Sequence, residues 1–414
     1  MILRALAGAV VAAALALTSV AAQEAAPTDA PKTPGAAPKN APQPVQFKFA
    51  VLRQFPQNPP WWNNLVTRPP EDDGIAGAEL GVIDNNTTGR FLKQDYVITA
   101  KELVPFGEDP MPAFDRILAS GAKFIVLAVP ADVLLKMADA AKDKDVILFN
   151  AGATDDRLRQ ADCRYNVLHV APNRAMLTDA LAQYLVFKRW SKWTLLIGRR
   201  AEDRLYADDV KRSAKKFGAK VVGEKTWSFG PDVRESGSDV IPVFTQDIDS
   251  DVIVIADELG EFGDLIAYRS WNPKLTAGTA GLTPVTWHET VDSWGAAQLQ
   301  NRFYRHAKRG MRPLDFQMWL AMRTIGETGA RVKSDDVKTL REYIFGPRFE
   351  LAGFKGKSFS YRPWDHQLRQ PIVLAQPAAL VSTAPQEGFL HQSNPLDTIG
   401  FDKPESQCRF PTTP

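Results

Sequence analysis

The sequence predicts an α/β fold built from two lobes, each holding a doubly wound parallel sheet. Short apolar runs alternate with amphipathic stretches, and this alternation is typical of parallel sheets covered by helices on both faces. The alternation occurs in two sets along the chain. Roughly 370 residues follow position 44, more than a single hydrophobic core usually holds, which favours two compact units.

The first set contains three predicted strands. FKFAVL (residues 47–52) is followed by GIAGAELGVIDNN, whose apolar residues have helical spacing. KFIVLAVP (123–130) is followed by the helical ADVLLKMADAAKDK. VILFN (146–150) leads into AGATDDRL, where Thr154 or Asp155 is suited to cap a short helix.

The second set begins after NVLHVAPN, which we interpret as a crossover between the lobes. Its predicted helices are RAMLTDALAQYLVFKRW, YADDVKRSAKKFG and DVIPVFTQDID. Its predicted strands are WTLLIG (193–198), KVVGEKTW and DVIVIA (251–256). We expect DVIVIA to be the last strand of the second sheet.

The N-terminus has the pattern of a secretory signal peptide. Arg4 precedes an apolar run over residues 5–17, and small residues follow up to Ala22, after which we predict cleavage. A retained membrane anchor is the alternative. Residues 23–44 are rich in Ala, Pro, Lys, Thr and Gln, a composition that favours a flexible linker. We therefore expect a mature protein in a bacterial periplasm.

Composition argues against several classes of function. The chain has 50 Lys and Arg against 48 Asp and Glu, without a basic stripe, so we expect no nucleic-acid partner. The five histidines lack zinc-site spacing, and GxSxG, Walker A and GxGxxG motifs are absent, so we expect neither an enzyme nor a catalytic cofactor. In an oxidising compartment Cys163 and Cys408 are predicted to form a disulfide, with two free thiols as the alternative.

Acidic residues follow the predicted strands at the ends where open parallel sheets bind ligands. This rule selects Glu71, Asp72, Asp73, Asp132, Asp155, Asp156, Glu202, Asp203, Asp257 and Glu258. Any one of them also has a simpler explanation, because carboxylates stabilise helix N-termini by capping and through the helix dipole.

In their order, these segments resemble the type I periplasmic solute-binding proteins of ABC transporters, the leucine/isoleucine/valine-binding family. The matching segments are GIAGAELGVIDNN, VILFNAGATDDRL, DVKRSAKKFGAKVVGEKTW, LDFQMWLAMRTIGETGA and FKGKSFSYRPWDHQLRQPIVLAQP, within residues 45–380. The resemblance implies a monomer whose lobes, joined by a three-strand hinge, close on a ligand. It also implies an inner-membrane ABC permease and its ATPase as partners.

The crossovers of that family divide the chain into a first lobe (45–170 plus 288–351), a second lobe (171–287 plus 352–380) and a C-terminal tail (381–414). Trp364, Asp365 and His366 fall near the third crossover. We expect them to form part of the hinge, with a contact to the ligand as the alternative. Asp315, Trp319 and Arg323 have helical spacing and are predicted to form a packing face within the first lobe.

WWNN, AGATDDRL and WDHQLRQPIVLAQ resemble a narrower subfamily associated with PQQ-dependent alcohol dehydrogenase systems. It includes the periplasmic binding component of lanthanide utilisation and transport clusters in methylotrophs. This resemblance implies that the ligand is a lanthanide ion, free or chelated.

The family resemblance also suggests binding residues. Gly152 and Thr154 occupy the positions of the family's Ala-Ala-Thr ligand loop, whereas VPADV replaces its serine turn. Alignment places Glu202 and Glu258 where the family has tyrosines that close over the ligand. Trp61 and Trp62 are candidates for a cleft wall, with burial against the body as the alternative.

Acids gathered in one cleft repel each other unless a cation neutralises them, and hard cations prefer oxygen ligands. We therefore predict a lanthanide or Ca²⁺ site formed by Asp257, Glu258, Glu202, Asp155, Asp156, Asp72 and Asp73. One alternative function is binding of a small organic ligand, either an amino acid or an alcohol-derived acid, by Gly152, Thr154 and the two tryptophans. Another is a ligand-free accessory protein that docks on a dehydrogenase or sensor.

Overall fold

The computed structural model describes residues 44–58, 69–228, 240–389 and 391–410. The predicted signal peptide, nearly all of the predicted linker, and Trp61 and Trp62 lie outside these ranges. Within them, no helix is both long enough and apolar enough to cross a membrane.

The first lobe contains a five-stranded parallel sheet. Its strands are β1 (Val45–Gln54), β2 (Gln94–Val104), β3 (Phe124–Ala128), β4 (Ile147–Asn150) and β5 (Val167–His169), in the order β2-β1-β3-β4-β5. The intervening helices are α1 (Ile75–Leu92), α2 (Met111–Ala119) and α3 (Ala131–Ala140). Side chains alternate across the sheet, so Phe49 and Val51 enter one hydrophobic core while Ala50 and Leu52 enter another.

The second lobe contains a four-stranded parallel sheet. Its strands are β6 (Lys192–Ile197), β7 (Lys220–Thr226), β8 (Val252–Ala256) and β9 (Leu275–Gly278), in the order β7-β6-β8-β9. Its fully described helices are α4 (Arg174–Phe187), α5 (Ala201–Phe217) and α6 (Gly263–Arg269), and residues 240–244, within the predicted helix DVIPVFTQDID, are also helical. The predicted α/β fold with a parallel sheet in each lobe is confirmed. DVIVIA is not the last strand, because β9 pairs with β8 at the sheet edge.

The rest of the chain contributes elements to both lobes. It comprises β10 (Thr283–Val285), α7 (Ala296–Ala307), α8 (Pro313–Val332), α9 (Val337–Ile344), β11 (Leu351–Ala352), β12 (Ser358–Tyr361), β13 (Leu368–Arg369), β14 (Ile372–Gln376) and β15 (Ala379–Ala384). Two small antiparallel sheets have the orders β10-β14-β15 and β11-β12-β13. Helix α8 packs on α1, where Trp319 donates to Asp84 at 2.9 Å and Arg323 donates to Asn85.

The third passage between the lobes is best located by packing. Phe359, Tyr361 and Leu368 belong to a first-lobe core, whereas Ile372 and Leu374 belong to a second-lobe core. Val373 and Ala375 also pack in the first-lobe core, so β14 lies between the two cores, and the predicted boundary at residue 351 stays a prediction.

A buried lysine ties the hinge passages together. The Lys355 ammonium donates to the carbonyls of Thr286 and Pro371 at 2.9 and 2.6 Å and to the side-chain oxygen of Gln370 at 3.0 Å. The Gln370 amide in turn donates to the Val170 carbonyl at 2.7 Å. All three chain passages between the lobes therefore meet in one hydrogen-bond network.

The C-terminal segment contacts both lobes. Ile399 packs in a second-lobe core, and the Gly400 N–H donates to the Asp179 carboxylate at 2.9 Å. Cys408 forms a disulfide with Cys163, which lies between β4 and β5 of the first lobe, with an S–S distance of 2.05 Å. Phe410 stacks on His366 at 3.9 Å between ring centroids. The tail therefore runs across the hinge.

Candidate functional site: the cleft between the lobes

A cavity of about 590 Å³ lies at the carboxyl ends of the two parallel sheets. Thr154 and Arg312 line it from the first lobe. Tyr206, Glu258 and Gly278 are among the residues that line it from the second lobe. Its position matches the general rule that open α/β sheets bind ligands beyond the carboxyl ends of their strands.

Buried polar side chains hold the loop after β4 in place through hydrogen bonds to its backbone. The Asn150 side-chain oxygen accepts the N–H groups of Gly152 and Ala153 at 3.1 and 2.9 Å. Arg159, fully buried, donates to the carbonyls of Ala153 and Asp155 at 3.0 and 3.1 Å. The Gly152 N–H predicted to hold a ligand is therefore already bonded within the loop, whereas Thr154 lines the cavity.

Arg174, the first residue of α4, joins acids that follow strands of both sheets. Its guanidinium donates to both carboxylate oxygens of Glu258 at 2.8 and 2.7 Å, a bidentate pair. A second contact, at 3.3 Å, reaches Asp155. Burial lowers the pKa of Arg174, but the two carboxylates outweigh it and the pKa is raised. Asp155 lies at the N-cap position of a short 3₁₀ helix without making a capping bond.

Asp257 acts as a cap. Its two carboxylate oxygens accept the N–H groups of Glu261, Phe262 and Gly263 at 2.9, 2.8 and 2.8 Å, at the start of α6. Burial raises the pKa of Asp257, opposed by these three hydrogen bonds. Glu261 is buried and receives a bidentate pair from Arg199 at 2.9 and 3.0 Å.

Helix α5 presents a tyrosine to the cavity. Tyr206 is 3% exposed and lines the cavity, and its hydroxyl has no hydrogen-bond partner among the described residues. Glu202, which alignment placed at a closing-tyrosine position, does not line the cavity and contacts Arg200 at 3.4 Å. One turn separates the two residues, so the cleft keeps an aromatic hydroxyl where we had expected a carboxylate.

Asp203, on the first turn of α5, connects two loops of the second sheet. Its carboxylate accepts the N–H groups of Arg200 and Glu258 at 3.0 and 2.7 Å. Burial raises the pKa of Asp203 to about 6, although these hydrogen bonds oppose the shift. Asp203 therefore fixes the position of Glu258 through the backbone.

Asp156 faces helices α4 and α5. Its carboxylate accepts the Ala175 N–H at 3.1 Å. It also forms a hydrogen bond with the carboxyl group of Asp209 on α5. Burial, and then the charge and hydrogen bond of Asp156, raise the pKa of Asp209 to about 8. The raised pKa favours the protonated form of Asp209 at neutral pH.

A second group of ion pairs lies at the start of α8, which we name the Asp315 cluster. Asp315 is fully buried and accepts two bonds from Arg309, at 2.6 and 2.9 Å. It also accepts the N–H groups of Gly74 and Arg312 at 2.7 and 3.0 Å. The other members are Asp72, paired with Arg309 at 3.0 Å, and Asp73, paired with Arg312 at 3.4 Å.

The remaining predicted positions have local roles. Arg53 donates to the backbone carbonyl of Glu71 at 3.1 Å. Asp132, whose side chain is 81% exposed, forms an ion pair with Arg157. Across the described ranges, no three His, Cys, Asp or Glu side chains form a group that could hold a metal ion. The predicted metal site stays a prediction, and its proposed ligands have arginine or backbone partners.

Sequence reasoning missed Arg174, Tyr206 and Arg312. Arg174 carried a signal, because a positive charge at a helix N-terminus opposes the helix dipole and needs another reason to be there. Tyr206 lies one helical turn after Glu202, the residue that we predicted for this part of the cleft. Arg312 lies far along the chain from the other cavity residues, so only the fold places it there.

Comparisons with known proteins agree with this architecture. Residues 111–379 match the periplasmic binding protein family. No curated protein matches the chain. The fold is similar to that of a branched-chain amino acid ABC transporter periplasmic ligand-binding protein from Burkholderia xenovorans (15% identity, TM-score 0.64, covering 82% of this chain and 95% of that one).

Two further solved structures contain ligands. A solute-binding protein of an ABC transporter from R. palustris, in complex with benzoate, shares 14% identity at a TM-score of 0.63, covering 88% of this chain and 100% of that one. A branched-chain amino acid transporter substrate-binding protein from Streptococcus pneumoniae, in complex with isoleucine, shares 12% identity at a TM-score of 0.60, covering 82% and 98%. The matched segment includes the strands and loops that surround the cavity. By that match, this chain belongs to the periplasmic binding protein family.

Proposed function

We propose that the protein is the periplasmic solute-binding component of an ABC transporter and that it captures a small organic acid between its lobes. Family membership supports the transport role. Two proteins of similar fold were solved with benzoate and with isoleucine, and both ligands carry a carboxylate. In this proposal the N-terminal segment is a cleaved signal peptide, and an inner-membrane permease with its ATPase receives the ligand.

The unpartnered Tyr206 hydroxyl carries the proposal. A buried hydroxyl without a hydrogen bond costs free energy, and a ligand oxygen in the adjoining cavity would supply the missing bond. Thr154 adds a second hydroxyl from the first lobe, and Arg312, whose Nε has no hydrogen-bond partner among the described residues, adds a guanidinium donor suited to a carboxylate. The cavity also has the size of a small-molecule site.

A ligand panel tests this proposal. Thermal unfolding of the mature protein is measured with aliphatic acids, aromatic acids, amino acids, La³⁺ and Ca²⁺, and ligands that raise the melting temperature are titrated by calorimetry. We expect at least one organic acid to bind and Tyr206→Phe to weaken it about tenfold, the effect of losing one hydrogen bond of about 1.4 kcal/mol. Tyr268→Phe, at an exposed position on α6, is the matched control and should leave the affinity unchanged.

Each other outcome of the panel has a defined meaning. Stabilisation by La³⁺ alone would favour the lanthanide prediction over the organic acid. No response to any compound would favour the accessory-protein alternative. Full affinity in Tyr206→Phe would move the binding site away from this cavity.

A further inference from the structure

Arg174 occupies the position in the cleft that a cation would otherwise take. Its side chain is 5% exposed and lies between Glu258, at 2.7 Å, and Asp155, at 3.3 Å. The two carboxylates come from loops after β4 and β8, one from each parallel sheet. Without the guanidinium they would form a pair of acids from both lobes, the arrangement that favours a bound cation.

Helix α4 gains little from an arginine at its first position. The positive charge lies where the helix dipole favours negative groups. Asn173 already caps the helix by accepting the Met176 N–H at 3.1 Å. The bidentate geometry with Glu258 therefore explains the residue better than helix stability does.

The neighbouring polar groups hold the pair in place. Asp203 accepts the Glu258 N–H at 2.7 Å, and the Arg174 N–H donates to the Thr154 carbonyl at 2.8 Å. Glu258 and Thr154 both line the cavity. The charge of the Arg174 guanidinium therefore affects the electrostatic potential at the wall of the ligand cavity.

We propose that Arg174 is a built-in counter-ion that determines the charge selectivity of the cleft, by excluding metal ions and other compact cations from Asp155 and Glu258. The inference rests on the proposed function, since it assumes that the adjoining cavity holds the ligand. Arg174 is a positioning residue in this role, because it acts through the two carboxylates.

The test removes the counter-ion and asks whether a cation binds in its place. Arg174→Gln replaces the charged side chain by a neutral one of similar size. The mature full-length variant is titrated with La³⁺, and binding is followed by thermal unfolding and by the loss of Tb³⁺ luminescence as La³⁺ displaces bound Tb³⁺. We expect La³⁺ to bind Arg174→Gln at least tenfold more tightly than the native protein, with a rise of several degrees in melting temperature. Arg174→Lys, which keeps the charge, is the matched control and should bind La³⁺ as weakly as the native chain.

A double variant assigns the gain to the correct residues. In Arg174→Gln/Glu258→Gln the acquired La³⁺ binding should be lost. Equal La³⁺ affinity in the native protein and in Arg174→Gln overturns the proposal, as does a gain that survives in the double variant. If Arg174→Gln is unfolded in buffer, recovery of its circular dichroism spectrum on adding La³⁺ supports the proposal, and no recovery overturns it.

These outcomes are separable from failure of the proposed function. The organic-acid titrations use the native chain, whereas the La³⁺ comparison uses the Arg174 variants. A native chain that binds no organic acid would refute the proposed function and leave the La³⁺ comparison to decide the role of Arg174.

Discussion

The Asp315 cluster and the Arg174 site are built from the same residue types with opposite arrangements. In the first, a fully buried carboxylate lies at the centre and receives two bonds from Arg309. In the second, an arginine lies at the centre and donates to Glu258 and Asp155. The Asp315 carboxylate joins α8 to the start of α1 through the Gly74 N–H, entirely within one lobe. The Arg174 site joins loops of both sheets beside a cavity.

The comparison shows that acidic residues at strand ends do not by themselves indicate a metal site. Their role depends on whether an internal cation or a set of N–H groups already satisfies them. It also depends on whether they adjoin a cavity that contains an unpartnered polar group. Glu258 of the Arg174 site lines the same cavity as the Tyr206 hydroxyl, whereas the Asp315 cluster contributes Arg312, but none of its carboxylates, to the described cavity wall.

The largest effect is expected at the centre of the Asp315 cluster. Asp315→Ala removes two of the hydrogen bonds of Arg309, which keeps Asp72, and leaves two backbone N–H groups without their acceptor, so we expect a loss of about 3 to 5 kcal/mol in the free energy of unfolding. Urea denaturation measures it. Asp143→Ala, at an exposed position, is the control and should change stability by less than about 0.5 kcal/mol. A loss below about 1 kcal/mol for Asp315→Ala would show that the Asp315 carboxylate does not stabilise the first lobe.

A pH-dependent effect is expected at Asp209. Because its pKa is raised to about 8, the native state keeps a proton that the unfolded chain releases above about pH 4. This group therefore makes the native state less stable as pH rises from about 4 to about 8, by at most about 1.4 kcal/mol per pH unit. Asp209→Asn keeps a donor for Asp156 and should flatten this slope.

Urea denaturation at several pH values between 5 and 8 compares the native chain with Asp209→Asn. Asp208→Asn, whose native side chain is 74% exposed, is the neighbouring control and should keep the native slope. Parallel pH profiles for the native chain and Asp209→Asn would show that Asp209 does not keep its proton in the native state over this pH range.

A smaller effect is expected at Asp257, which sequence reasoning assigned to a metal. Asp257→Asn replaces an acceptor of three N–H groups by an amide with one acceptor oxygen, and we expect a loss of about 1 to 2 kcal/mol. Hydrogen exchange should locate the destabilisation at the start of α6. Loss of organic-acid binding without any change in stability would instead assign Asp257 to the ligand.

The smallest effect is expected at Asp132, also selected by its position after a strand. Its ion pair with Arg157 is exposed to solvent, so Asp132→Ala should change the free energy of unfolding by less than about 0.5 kcal/mol. Ligand affinity, measured by calorimetry, should stay the same. A tenfold loss of affinity would place this rim residue in the binding site.

The parallel strands of both lobes were largely predictable because buried strands read as continuous apolar runs, as in VIVIA of β8. β2 was missed because it is an edge strand whose buried and exposed residues alternate in part, and α2 was missed with it. β9 was missed because it spans only Leu275–Gly278.

The site was less predictable than the fold. Position after a strand selected Asp257 and Glu258, and the family resemblance selected Thr154, and all three residues line the cavity. Neither could show that Arg174 neutralises Glu258, since the two residues are separated by 84 positions along the chain. The choice between cap and ligand at Asp257 depended on backbone N–H directions that only the folded loop defines.

The disulfide gives the chain a property that neither lobe has alone. Cys163 and Cys408 are separated by 245 positions, a span that contains the whole of the second sheet and the helices α7 to α9. A single proteolytic cut anywhere between them leaves two fragments that remain covalently joined. The protein can therefore lose peptide continuity in an exposed loop and still keep both halves of its cleft in one molecule until the sulfurs are reduced.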